Sequence, residues 1–288
     1  MALNLAQYPP VALIIPEHYY KPQLSSLKDL PLVSVVTPSL NHEEYVEQTI
    51  KSVIQQSYPE IEYIIQDGAS TDGTVRIIEQ YRSKIAHVES IDDSGQANAI
   101  NQGFAKSRGS ILAWLNSDDC FLPGALDYVV NYFLAHSDVD VVYGHRILID
   151  ANGNEVGRWV LPPHSEKMLR WADYVPQETL FWRREIWDKV GAQLDESFKY
   201  AMDWDLLLRF QEAGAKMVRL SRFLGAFRVH EQQKTTAHET VGQHEMVHLR
   251  RRYHGRPVSK FEVYLNLFAY RVRLRLFRTL FRWRFLRY

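Results

Sequence analysis

Between residues 32 and 135 the chain alternates short apolar runs of strand length with amphipathic stretches of helix length. That rhythm admits few architectures other than a mostly parallel sheet with helices on both faces. Residues 32–36 read as a strand, 43–56 as a helix, 61–65 as a strand and 74–81 as a helix. Residues 85–88, the helical 96–105 and the strand 110–115 continue the pattern, and Pro123 suits the first position of a helix ending near Ala135. After Asp140-Val-Val-Tyr143 the rhythm changes: a hairpin is expected to turn at Asn152-Gly153, with a strand over 178–182, a helix over 203–213 closed by Gly214, and a last short strand over 227–229. The second half is thus expected to be mixed. Residues 1–30, with four prolines and little periodicity, read as an extension laid on the surface or partly disordered, 31–235 as one α/β domain, and 236–288 as a helical tail.

The strand Ser110-Ile-Leu-Ala-Trp-Leu-Asn-Ser-Asp-Asp119 ends abruptly in polar residues. In an open α/β sheet ligands bind at the carboxyl edge of the strands, and adjacent carboxylates there suit a divalent cation holding a phosphorylated substrate. After the second strand comes Asp67-Gly-Ala-Ser-Thr-Asp-Gly-Thr74, whose small residues allow close backbone approach while Asp67 and Asp72 accept hydrogen bonds. Taken alone, the same residues equally suit a capped strand-to-helix turn. In Asp92-Asp-Ser-Gly-Gln-Ala-Asn-Ala-Ile-Asn-Gln-Gly103, polar side chains gather at an expected helix N-terminus, which attracts anions or merely caps itself.

Together with Val35-Val-Thr-Pro-Ser-Leu-Asn41 and Leu115-Asn-Ser-Asp-Asp119, the Asp67 loop resembles the family 2 glycosyltransferases, whose nucleotide-diphosphosugar-binding fold is called GT-A; the resemblance covers roughly residues 32–230. It implies a Rossmann-like, mostly parallel sheet with a mixed acceptor-side half. It also implies that Thr37, Pro38 and Asp67 line the nucleoside pocket, with Asp93, Gln96, Asn101, Asn116 and Asp118 also on the donor. Asp118 and Asp119 match the Asp-X-Asp motif that holds manganese or magnesium and the diphosphate, His230 is implied as a third ligand, and Arg228 or Lys234 as a diphosphate contact. Asn116 stands where many members carry the first Asp, and Gly68 where many carry a second Asp beside Asp67, which removes one contact to the base. Pro176-Gln-Glu-Thr-Leu-Phe-Trp182 and Tyr200-Ala-Met-Asp-Trp-Asp-Leu-Leu-Leu-Arg209 resemble the acceptor half. There Asp203 is implied as catalytic base, although Met202 replaces the Glu that usually precedes it; Gln177, Glu178 and Trp204 are implied on the acceptor, and Trp182 and Trp204 either stack on sugars or belong to the core. Asp203 and Asp205 equally suit the dipole of a helix N-terminus.

The expected activity is inverting, metal-dependent transfer of a sugar from a nucleotide diphosphate, most simply a UDP-sugar, to a hydroxyl of a saccharide or lipid-linked acceptor in surface polysaccharide or glycolipid synthesis. A nucleotidyltransferase would need a Gly-rich, basic phosphate loop near residues 35–41, where none stands. A non-catalytic nucleotide- or sugar-binding module on the same fold would be indifferent to Asp203→Asn. His244-Glu-Met-Val-His248 has the letters of a zinc-protease helix, but no context supplies a third ligand and exposed helix polarity accounts for it better.

The net charge of zero conceals a division: residues 250–288 carry twelve Lys and Arg against the single acid Glu262. Within this tail Arg271, Arg275, Arg278 and Arg282 share one helical face, with Tyr270, Leu274, Phe277, Phe281 and Phe285 beside them. That pattern predicts an interfacial helix, over 264–288, on an anionic membrane, or else a helix docked on the enzyme body or a second subunit; no nucleic-acid reader motif accompanies the charge. The lone Cys120, the absence of signal-peptide order in the first thirty residues and the lack of a long apolar window predict a cytoplasmic protein, peripheral at the inner face of the membrane.

Overall fold

The computed structural model describes residues 6–21, 29–230 and 239–282. Its centre is a nine-stranded sheet in which the strands lie in the order 87–90, 61–67, 33–39, 111–114, 181–183, 141–149, 217–228 and 120–121, with 155–159 paired to 141–149. The first half follows the expected alternation: β1 (Val33–Ser39), α1 (Val46–Ile54), β2 (Ile61–Asp67), α2 (Thr74–Gln80), β3 (His87–Ser90), α3 (Gln96–Ala105) and β4 (Ile111–Trp114). The pairs β1–β2, β1–β4 and β2–β3 are all parallel. Every residue of β1 is buried, because both faces of a central parallel strand are covered. Val33 and Val35 face one apolar cluster with Ile50 and Val53 of α1, while Val36 faces the other with Trp114 and Phe104 of α3. The second contact needs a bare backbone on the helix, since a Cβ on Gly103 would lie 2.4 Å from a methyl of Val36.

The pairing of β1 with β4 stops at Val36↔Trp114, whereas β1 stays with β2 to Ser39↔Asp67. The strands part there, and Pro38, which has no N–H to offer a neighbour, sits in β1 just beyond the split. The carboxyl ends of β1, β2, β3 and β4 all open on this edge.

The second half departs more from expectation. After the two-residue β5 (Cys120–Phe121) and α4 (Ala125–Ala135) come a long β6 (Val141–Ile149) and β7 (Glu155–Trp159), which form the expected hairpin about Gly153. Next are α5 (Glu166–Leu169), the short β8 (Phe181–Arg183), α6 (Arg184–Lys189) and α7 (Met202–Glu212). The expected strand over 178–182 is shortened, because residues Gln177–Thr179 form a 3-10 turn. The expected three-residue final strand is instead β9 (Met217–Arg228), twelve residues long, parallel to β6 and antiparallel to β5. Its bonds to β5 place Asp118 and Asp119 beside Arg228 and His230.

The described part of the N-terminal extension lies along β7 and β9: Val11 bridges Glu155, and Tyr19 is buried under the Arg222 guanidinium, 4.0 Å from the ring centre. The tail forms α8 (Glu239–His254) and α9 (Lys260–Arg282). Leu249 and Tyr270 join the same buried cluster as α7. Consequently the stripe expected to seek lipid is turned inward in its described part: Tyr270 is 8% exposed and Leu274 packs on the core. The side chains of Arg278, Phe281 and Arg282, and residue Phe285, lie outside the described residues.

Candidate active site

Three loops at the split edge are stitched to one another. Asn41 accepts from the Thr71 N–H at 2.8 Å, Ser70 Oγ accepts from the Asn41 N–H at 2.8 Å, and Asp72 accepts from the Thr74 and Glu43 N–H groups. Asp67 lies beneath them, fully buried, and its carboxylate accepts from Ser70 N, Ser70 Oγ and Ser90 Oγ at 2.6 to 2.9 Å. Thr37 is buried too, its hydroxyl 3.1 Å from Tyr63. Asp93 reaches across the loop: a Cβ on Gly68 would meet its Oδ2 at 2.7 Å, so the Asp93 carboxylate occupies the space a side chain at 68 would take. Desolvation, then the charges of Asp92 and Asp67, raise Asp93 above the usual carboxyl range. Gln96, at the start of α3, donates to Asn116 Oδ1 at 2.6 Å. Asn101 does not share this site. Its amide brackets Leu194, donating to the carbonyl at 3.0 Å and accepting from the N–H at 2.7 Å, and also bonds Glu196.

The two carboxylates that end the fourth strand have different surroundings. Asp118 faces His230, with Oδ2 3.1 Å from Nε2. Asp119 is only 1% exposed; its Oδ1 accepts from the Arg228 N–H at 3.0 Å and its Oδ2 lies 3.4 Å from the Asn116 amide. Asp119 is therefore held in the core, and of the two carboxylates between which the sequence leaves the cation contact open, Asp118 is the one paired with His230. Among the described residues no three His, Cys, Asp or Glu form a group that could hold a metal ion. The Asp118–His230 pair offers one hard oxygen and one imidazole nitrogen, a donor set that fits manganese or magnesium only with the remaining positions filled from substrate or water.

Arg228, implied as a diphosphate contact, is fully buried and spent elsewhere. It donates to the carbonyls of Asp118, Asp150 and Ala151 and to Gln48, and lies 5.0 Å from the Tyr45 ring centre. Lys234 lies outside the described residues. His42 and Tyr45, which sequence reading passed over, complete the wall: His42 Nδ1 is 2.6 Å from Ser117 Oγ, and both rings adjoin His230.

Of the residues implied on the acceptor, Gln177 donates to the Trp114 carbonyl at 2.9 Å, and Glu178 is buried in a two-pronged pair with Arg146. The Arg146 guanidinium is enclosed between Trp159 and Phe227, 5.1 and 4.4 Å from their ring centres. Glu178 is thus part of the wall behind the site. Trp182 and Trp204 are fully buried, and Trp204 Nε1 donates to Leu169 O at 2.7 Å, so neither indole can stack on a sugar. Asp205 is buried between Arg209 and Arg252, whereas Asp203, in the first turn of α7, is half-exposed and accepts from the Trp204 N–H at 2.9 Å.

A run of interacting charges joins the two halves: Asp203 acts on Asp173, both Asp173 and Asp119 interact with Arg146, and Asp119 adjoins Asp118. Asp173 meets solvent in the cleft while protein crowds around it, and desolvation followed by the Asp203 charge raises it well above the usual range. Asp119 is raised likewise, by burial first and then by Asp118 and Glu178. Burial also pushes Asp118 upward, but the hydrogen bond with His230 and the field of the two imidazoles outweigh it and hold that carboxyl low. The site thus keeps the part-buried Asp118 carboxylate ionised and disfavours charge on its neighbours.

The glycosyl transferase family 2 profile matches residues 34–190, more than half of the chain and the whole of the split edge. The chain belongs to glycosyl transferase family 2. Among relatives, the O-antigen biosynthesis protein RfbC of Myxococcus xanthus is 33% identical over 195 residues, 66% of this chain, and the chondroitin synthase of Escherichia coli 28% over 197 residues, 67% of it. The aligned part spans only 15% and 28% of those two proteins. Among solved structures, S. aureus TarS 1-349 in complex with UDP-GlcNAc aligns with a TM-score of 0.64 at 19% identity, over 82% of this chain and 70% of that one. The mannosyltransferase PcManGT of Pyrobaculum calidifontis, in complex with GDP-Man and Mn2+, aligns with 0.63 at 16%, over 91% and 72%. The family 2 chain therefore has the GT-A fold implied by its motifs.

Proposed function

We propose that this family 2 member transfers a sugar from a nucleotide diphosphate to an acceptor hydroxyl in the synthesis of a surface polysaccharide, with inversion at the anomeric carbon. The observation that carries the proposal is the Asp118–His230 pair on the edge where the Asp67 loop opens, within the segment that matches the family 2 profile. The acceptor oxygen attacks the anomeric carbon in line, the bond to the diphosphate breaks with its electrons leaving on the phosphate oxygen, and Asp203 takes the acceptor proton. Asp118 and His230 would hold a divalent cation, which when bound would supply positive charge to the leaving diphosphate. Thr37, Pro38, Asp67, Gln96 and Asn116 line the donor side, and Asp93 supplies to the base the carboxylate that Gly68 lacks. The ligands bound in the two solved neighbours, UDP-GlcNAc and GDP-Man with Mn2+, support a nucleotide-sugar donor.

The test is a thermal-shift panel of UDP-GlcNAc and GDP-mannose with and without manganese, followed by turnover of Asp203→Asn. The expected outcome is donor binding retained with transfer reduced by about 10²-fold or more; full transfer by Asp203→Asn would remove the base assignment.

The tail reading places an anionic membrane on the outer face of α9. Phe261, Leu265, Phe268, Val272, Leu276 and Leu280 recur there at spacings of three and four, with Phe261 68% and Phe268 54% exposed. Arg271 and Arg273 flank the stripe. No described helix is long and apolar enough to cross a membrane.

A further inference from the structure

The helix with the zinc-protease letters has a different use for its glutamate. Glu245 Oε1 accepts from the Lys199 N–H, and Oε2 from the N–H groups of Tyr200 and Ala201, each at 2.8 Å. These three successive amides lead directly into Met202, the first residue of α7. Ala201, at the N-cap position, has no side-chain oxygen and makes no cap bond. The carboxylate that holds the amides approaching α7 comes from α8, 44 residues or more along the chain.

The surrounding contacts fix α8 in the register this requires. A Cβ on Gly242 would lie 2.7 to 2.9 Å from the Tyr200 ring, so the helix sits flush on that loop. Arg252 pairs with Asp205 in the first turn of α7, and Arg250 donates to the Trp171 carbonyl at 2.8 Å, two residues before Asp173. Both stretches that bring carboxylates to the acceptor side are thus tied to the same helix.

We propose that Glu245 is a positioning residue that sets the entry of α7 and so the place from which Asp203 meets the acceptor, an inference that rests on Asp203 as the base. A carboxylate accepting three backbone N–H groups fixes the loop more firmly than neutral acceptors would. Misplacing a catalytic group by about 1 Å costs on the order of 10²-fold in rate without altering how the donor is held.

The experiment compares full-length wild type, Glu245→Ala, Glu245→Gln and Asp203→Asn. It measures release of UDP from UDP-GlcNAc, or of GDP from GDP-mannose, whichever the wild type turns over, together with amide hydrogen exchange. In Glu245→Ala the amides of residues 199–204 exchange faster while those of residues 61–74 do not. Its kcat falls by about tenfold to hundredfold with the donor KM within about twofold, and Glu245→Gln, which keeps one carbonyl acceptor, recovers part of the loss. Unchanged exchange at 199–204, wild-type kcat in Glu245→Ala, or a parallel loss of donor affinity would overturn the positioning role. Wild-type turnover by Asp203→Asn would instead overturn the base reading, so the two failures are told apart.

Discussion

Asp118 and Asp119 are neighbours in sequence and opposites in circumstance, and substitutions should separate them. Asp119→Ala leaves the buried Arg228 N–H without its acceptor and is expected to lower stability by about 1–3 kcal/mol, read from urea unfolding. Asp119→Asn keeps an oxygen for that bond, and because the site already disfavours charge on Asp119, it is expected to cost less than the alanine variant. Asp118→Ala is expected to abolish any gain in nucleotide affinity from manganese, measured by calorimetry. His145 offers a prediction of a different kind. Its Nδ1 accepts from the Leu161 N–H at 3.1 Å, and burial, aided by the Arg219 charge, lowers its pKa to about 3. Above pH 6.5 neither folded nor unfolded imidazole is charged, so no penalty applies. Below it the unfolded chain binds a proton that the folded chain refuses, and stability is lost progressively toward pH 3. The loss from this residue should reach about 2 kcal/mol by pH 5. His145→Gln, which keeps an acceptor for Leu161, should show a smaller fall between pH 6.5 and 5.

Among the elements, those formed by local pattern were legible and those formed by tertiary demand were not. The helix 96–105 and both strands beside it are plain in the apolar spacing, whereas the pattern marks only a short strand at the end of β9 because Arg219, Ser221 and Arg222 interrupt its apolar run. Arg222 is buried under Tyr19 and Tyr128, aromatic faces contributed by the N-terminal extension and α4, and no local window contains them. The same applies to α9. Its sequence has apolar residues on more than one side, and only packing decided that Tyr270 and Leu274 turn inward while Phe261, Leu265, Phe268 and Val272 face out. Vesicle flotation distinguishes the two faces. Leu265→Glu with Phe268→Glu should release full-length protein from anionic vesicles and leave the fold intact. Equal flotation of wild type and variant, or none by either, would exclude the outer stripe as an anchor.

For the whole molecule, the donor should act as a structural ligand of the edge where β1 and β4 part. A nucleotide sugar at about 100 times its Kd should stabilise the protein by about 2.7 kcal/mol, a rise of about 5–10 °C in Tm, and chelation of divalent cations should remove most of it. The mostly parallel first half, the edge to which Asp67, Asn116 and Asp118 are delivered, and the family are all legible in the linear chain, because strand periodicity and short loop motifs are local. Tertiary structure alone decided which carboxylate of the Asp118-Asp119 pair meets the cleft, since β9 pairs with β5 and brings the Arg228 N–H to one and His230 to the other. It also decided that Trp204 belongs to the core, that Asn101 braces a loop, and that Asp173 lies within the field of Asp203. Burial and charge coupling depend on neighbours tens to hundreds of residues away, and one residue's type carries no record of which neighbours the fold will give it.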